Sequence, residues 1–225
     1  MQQAFVSWSG GKDSCLACYR AGVNGLKVCY LLNMTREDGG RSRSHGLAAG
    51  ILQLQAQALG IPLVQRQASW NDYEAEFTSA LRAFKSEGVD SGVFGDIDFN
   101  EHRAWIDRVC QKADITPHLP LWGLSQDDIM RDFVELGFEA IVVATKADLL
   151  GKEWLGRKID RAFLLELDEL GKTKGITPCG EAGEYHTFVT NGPMFKQRVE
   201  LLEADIISKD EHWFLDILKG ELRNK

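Results

Sequence analysis

The chain has 225 residues, of which 44% are hydrophobic and 26% charged, and its formal net charge is −7. That length can bury a substantial core, as one large domain or a domain with an appendage. The acidic balance argues against a broad electrostatic footprint for nucleic acid, so no nucleic-acid partner is expected.

The N-terminus enters Ala4–Trp8 almost at once, without a charged region leading into a long apolar run. The longest clean apolar run, Ala140–Ala144, is far short of a membrane span. A cytoplasmic protein with no membrane partner is therefore expected. The five cysteines form an odd, scattered set that reads as reduced thiols. Cys15 and Cys18 fall just inside a helix with no second pair to complete a zinc site, and Cys110 shares an apolar face with Trp105, Ile106 and Val109. All three read as core.

In chain order, Ala4–Trp8 is a first strand, followed by a turn and a helix from about Asp13 to Ala21. Val28–Met34 is a second strand, and Leu47–Leu59 a helix closed by Gly60 and Pro62. Leu63–Gln67 reads as a third strand, Tyr73–Lys85 as a helix and Val89–Phe94 as a fourth strand. Asp98 with Glu101 resembles a capping box, Thr116–Leu121 is extended, and Ser125 with Asp128 opens a helix ending near Gly137. Glu139–Thr145 is a last strong strand. The alternation predicts an α/β fold, a parallel sheet with helices on both faces. Beyond Thr145 the texture becomes charged and then glycine-rich, which suggests domains at 1–145 and 146–225, the second a smaller lobe. Arg157, Lys158 and Arg161 read as a basic helical stripe, and the segments Met194–Leu202 and Trp213–Leu218 as strands or a strand and a helix.

Ser9-Gly10-Gly11-Lys12-Asp13-Ser14 lies between the first strand and the first helix. Adjacent glycines let the backbone turn sharply with N–H groups inward, and the helix N-terminus adds a positive partial charge. With two hydroxyls and the Lys12 cation, the string suits a pyrophosphate group. It lacks the early glycine and the residue after lysine that a Walker A loop needs, since Val6 and Asp13 stand there. The competing reading is a turn that uses glycine for geometry alone. Thr145-Lys146-Ala147-Asp148 mimics a guanine-specificity motif but has no Walker A loop to serve.

Ligands of open parallel sheets gather beyond the carboxyl ends of the strands. Those ends carry Ser9, Asn33 to Thr35, Ser69-Trp70, Asp96 and Thr145. A nucleotide there would place its phosphates on the loop and its base near Asn33 and Met34. Asp96, after Gly95, and Asp13 are the candidate Mg²⁺ ligands.

The string Ser9–Ser14 is similar to that of the N-type ATP pyrophosphatases, the PP-loop superfamily. Downstream, Gly95-Asp96-Ile97, His102-Arg103, Arg108-Val109-Cys110, Pro120-Leu121-Trp122 and Leu155-Gly156-Arg157 follow the order of the diphthine–ammonia ligase family. Cys179 through Thr187 and Asn191 through Phe195 continue that order. The resemblance covers nearly the whole chain. It implies a Rossmann-like, HUP-type five-stranded sheet with a smaller C-terminal lobe. It also implies ATP as cofactor: a carboxylate is adenylylated, pyrophosphate leaves, and ammonia displaces AMP to give an amide. The family's acceptor is diphthine, a modified histidine on elongation factor two. His186 stands where the family string carries an acidic residue, and Asn191-Gly192-Pro193 replaces the usual Asp-Ala-Pro. Both variants resemble a bacterial branch, which implies the same ATP chemistry on a carboxylate acceptor that stays open, protein-bound diphthine or a small molecule.

On this reading Ser9, Gly10, Gly11, Lys12 and Ser14 hold the phosphates, with Lys12 on the leaving pyrophosphate and Asp13 or Asp96 on the metal. Glu181, Glu184 and His186 handle the acceptor or ammonia. His102, Arg103, Gly183 and Thr187 face the substrate, although a solvated helix face would equally explain His102 and Arg103. Two further readings stand beside it. A PP-loop enzyme that modifies tRNA would need a working cysteine pair, for which Cys110 and Cys179 are the candidates. A regulatory protein could bind ATP or AMP without turnover. A homo-oligomer is compatible with the sequence.

Overall fold

The computed structural model describes residues 2–225. Five strands, β1 (Gln3–Ser7), β2 (Lys27–Thr35), β3 (Leu63–Gln67), β4 (Ser91–Val93) and β5 (Thr116–His118), form one parallel sheet in the order β3-β2-β1-β4-β5. The order reverses beside β1, so the switch point lies where β1 and β4 release their chains. Helices α1 (Lys12–Val23), α2 (Ala49–Leu59), α3 (Tyr73–Ser86) and α4 (Asn100–Ala113) fill the crossovers, and α5 (Gln126–Glu135) follows β5. Gly60 ends α2 in the left-handed region at φ 70°, and its N–H caps the carbonyls of Ala56 and Gln57.

One face of the sheet packs on α3 and α4, where Phe5 lies 5.4 Å from Phe84 and 5.8 Å from Phe94. The other face packs on α1, α2 and α5, and that core runs on without a break into a second sheet. The second sheet is antiparallel, in the order β7-β6-β9-β8, from β6 (Glu139–Lys146), β7 (Tyr185–Asn191), β8 (Arg198–Lys209) and β9 (His212–Arg223). Leu54 and Ile51 of α2 pack over Gly220 of β9, so α2 lies between the sheets.

Several sequence expectations are corrected here. Glu139–Thr145 does not close the parallel sheet: as β6 it is a central strand of the second one, which puts part of the 1–145 segment in the C-terminal lobe. Asp98 caps nothing, because its carboxylate accepts from Gln126 and α4 starts at Asn100. Arg157, Lys158 and Arg161 form no helical stripe, since α6 (Arg161–Lys174) holds only the last of them. Arg157 instead stacks on Trp154 at 4.2 Å and pairs with Glu166. The two C-terminal segments resolve as a hairpin of two strands, turned at Asp210 and Glu211 with φ of 49° and 62°, the conformation of a tight two-residue loop. No helix among the described residues is long and apolar enough to cross a membrane.

Candidate active site

The loop Ser9–Ser14 leaves β1 at the switch point and is braced from inside. Ser9 and Ser14 hydroxyls lie 3.1 Å apart, the Gly11 N–H donates to Ser9 Oγ at 3.2 Å, and Ser14 Oγ donates to the Gly11 carbonyl at 3.1 Å. Gly10 has φ +81°, and a Cβ there would stand 2.5 Å from Leu52. Gly95, just past β4, must also be glycine: its Cβ would sit 2.8 Å from the Asp13 carbonyl carbon and 2.9 Å from the Ser14 nitrogen. That close approach is what sets Asp96 beside the loop.

The second sheet holds the loop from the opposite side. β7 is an edge strand, and its outward groups would otherwise lack partners. The Val189 N–H donates to the Gly10 carbonyl at 3.0 Å, and the Lys12 N–H donates to Thr187 Oγ1 at 3.0 Å. Gln55, fully buried on α2, completes the joint. Its amide donates to the Gly10 and Val189 carbonyls at 3.0 and 2.7 Å, and its oxygen accepts from the Trp8 indole at 2.9 Å.

Two neighbouring chambers with shared wall residues open around this joint. The larger, about 290 Å³, is walled by Ser9, Asp13, Ser14, Asn33, Met34, Asp96 and His102 among others. The smaller, about 150 Å³, is walled by Lys12, Thr187, His186 and the turn Cys179–Gly183. Asp13, His45 and Glu181 line both.

The charges are concentrated where the chambers meet. Burial raises Asp96 above the ordinary carboxylate range even though His102 Nδ1, 3.2 Å away, opposes the shift. Burial, with Asp13 adding repulsion, pushes Glu181 up to about 7. Burial works against the charge on Lys12, but Asp13 at 2.8 Å more than offsets it and carries the ammonium above the ordinary lysine value. His45 and His186 stack with centroids 4.5 Å apart, and burial, helped by the nearby Lys12 charge, lowers them to about 4 and about 3. Both imidazoles are therefore neutral at pH 7. Asp13 Oδ1 is buried without a hydrogen-bond partner, and Asp96 shares its chamber. Two carboxylates on a polar cleft match the way Mg²⁺ is held, by one or two carboxylates together with substrate phosphates.

Comparison with known proteins now decides the family. The N-terminal domain of diphthamide synthase matches residues 1–117 and its C-terminal domain residues 125–222. The chain belongs to the diphthamide synthase family. It is 30% identical to the diphthine–ammonia ligase of Rattus norvegicus over 90% of this chain and 84% of that protein. For the ligase of Homo sapiens the figures are 24%, 88% and 82%. Among solved structures, a predicted subunit of a tRNA methyltransferase from Methanocaldococcus jannaschii aligns with a TM-score of 0.48 and 16% identity, over 86% of this chain and 98% of that one. That likeness is too weak to bear on function.

Within this diphthamide synthase fold, the expected residues divide into those that meet at the chambers and those that do not. Ser9, Asp13, Ser14, Asn33, Met34, Gly95, Asp96, His102 and Glu181 border the larger one, and Gly183, His186 and Thr187 the smaller. Lys12 lines the smaller chamber, where its ammonium donates to Asp13 and to the Cys179 carbonyl. Glu184 lines neither. It is buried beneath the turn, where Oε1 accepts from the Thr177 N–H at 2.7 Å. Arg103 pairs with Asp107 and lies 5.5 Å over Trp122, off the chamber wall. Cys110 and Cys179 sit in separate cores and do not pair.

Arg43, Ser44, His45 and Tyr73 line the larger chamber and were not singled out by sequence reasoning. The signal for the first three was the string Arg41-Ser42-Arg43-Ser44-His45-Gly46, a polar loop at the carboxyl end of β2.

Proposed function

We infer that this chain is an ATP-dependent ligase that activates an acceptor carboxylate as its acyl-adenylate and then joins it to nitrogen. The observation that carries this reading is the loop Ser9–Ser14, pinned between both lobes, opening on the same cleft as Asp13, Asp96 and Glu181. Family membership supports the reaction class, since the relatives carry the name diphthine–ammonia ligase.

In the first step an acceptor carboxylate oxygen bonds to the α-phosphorus of ATP and pyrophosphate leaves. The Asp13 and Ser14 N–H groups at the start of α1 and the Ser9 and Ser14 hydroxyls receive the phosphates. Asp13 and Asp96 would hold Mg²⁺, which supplies charge neutralisation for the pyrophosphate. In the second step ammonia attacks the acyl carbon, the bond to AMP breaks, and the amide forms. Glu181, raised to about 7, lines both chambers beside the reacting groups.

His186 and Asn191-Gly192-Pro193 favour a bacterial branch whose acceptor is a carboxylate other than diphthine. The test is AMP and pyrophosphate release from ATP and Mg²⁺ with ammonium and a lysate as acceptor source, with Asp13→Asn as control. Release of both products in equal amounts, abolished in the variant, supports the ligase. ATP binding with no release, in lysates that supply carboxylate acceptors broadly, points to a regulatory nucleotide binder instead.

A further inference from the structure

The geometry points to the smaller chamber as the nitrogen-donor subsite, with Nε2 of His45 as the atom that takes the proton from the attacking nitrogen. This inference rests on the ligase reading above and assigns a place and a base to its second half.

Size argues for the occupant. The smaller chamber, about 150 Å³ against about 290 Å³ for the larger, has room for ammonia or a small primary amine. It shares His45, Asp13 and Glu181 with the larger chamber, so a nucleophile waiting there stands at the wall of the adenylate's compartment.

The tautomer of His45 is set by a neighbour that offers no choice. Nδ1 lies 3.1 Å from the Thr187 carbonyl oxygen, and a carbonyl only accepts, so Nδ1 carries the hydrogen. Nε2 is left with its lone pair. The ring orientation is fixed twice more, by the stack on His186 at 4.5 Å and by Gly11, where a Cβ would stand 2.3 Å from His45 Cε1. The second glycine of the loop thus makes room for this imidazole as well as for a phosphate.

The step balances simply. The nitrogen of ammonia bonds to the acyl carbon, the acyl carbon–oxygen bond breaks with its electron pair leaving on AMP, and one nitrogen-bound proton passes to His45 Nε2.

The test is nitrogen-15 NMR of the imidazoles in the full chain, with His45→Asn used for assignment; Asn keeps a donor for the Thr187 carbonyl and lacks Nε2. If that variant does not fold, His45 is assigned in the wild type through its own backbone correlations. The expected result is an Nδ1–H tautomer whose Nε2 resonance moves saturably with ammonium chloride and methylammonium chloride. Potassium chloride and tetramethylammonium chloride at equal ionic strength leave it in place. An Nε2–H tautomer overturns the assignment, as does an ammonium response equal to that of potassium. ATP binding, measured on the same sample, separates the two readings: a lost nitrogen response with ATP still bound sinks the subsite alone. Absence of ATP binding sinks the ligase reading and this inference with it.

Discussion

Replacing Gln55 by Leu tests whether the phosphate loop is held by the junction of the two sheets. The side chain is fully buried and makes three hydrogen bonds, one from Trp8 and two to the Gly10 and Val189 carbonyls. Leucine fills similar volume, so little cavity cost arises. The Gly10 carbonyl keeps its bond from the Val189 N–H, but the buried Trp8 indole N–H and the Val189 carbonyl lose theirs. Each stranded buried group costs about 1–3 kcal/mol. The expected destabilisation is therefore about 2–6 kcal/mol, a large part of the ~5–15 kcal/mol typical of a domain. Urea denaturation reads this as a lower midpoint at unchanged slope. ATP affinity measured by calorimetry, at temperatures where the variant remains folded, should fall because Gly10 loses one of its two anchors. An unfolding free energy within about 0.5 kcal/mol of wild type, the range of an ordinary surface change, would refute the reasoning.

Gly95→Ala puts a methyl group against the backbone of Asp13 and Ser14. It should cost about 1–3 kcal/mol and weaken ATP binding more than it weakens folding, which calorimetry beside a melt would separate. Glu181, raised to about 7 from an ordinary 4.5, binds its proton more tightly folded than unfolded. Its contribution to stability is thus present below pH 4.5 and is lost as pH rises through 7; the Glu181→Gln variant should lack that decline in a series of urea melts. His45 and His186 have the opposite sign: lowered to about 4 and about 3, they favour the folded state above pH 6.5 and lose that contribution as pH falls through those values. His45→Asn should flatten the fall in melting temperature between pH 6.5 and 4.

The parallel sheet was legible because apolar strand runs alternate with amphipathic helices and carry local punctuation, the glycine-rich turn after β1 and Gly60 with Pro62 before β3. The phosphate loop was legible for the same reason, since six adjacent residues carry its chemistry. What the sequence hid lies in long-range pairing. Glu139–Thr145 is apolar enough to be buried on both faces, and periodicity does not distinguish a parallel from an antiparallel home for such a strand. Its partners, Tyr185–Asn191 and the strand beginning at His212, lie some forty and seventy residues on. The bond from the Lys12 ammonium to the Cys179 carbonyl, 167 residues away, was hidden in the same way.

That failure has a physical consequence for how the site is built. A loop whose phosphate-facing geometry depended on its own six residues would be complete within the first lobe. Here Gly10, Lys12 and His45 each bond to β7, through Val189, Thr187 Oγ1 and the Thr187 carbonyl. The nucleotide-binding edge of one sheet and the unpaired edge of the other therefore satisfy each other. Any motion that separates the lobes must break those three bonds together, and with them the wall between the two chambers. The same three bonds place the base that we assign to the nitrogen step against the loop that binds the phosphates, so adenylation and amination share one rigid frame.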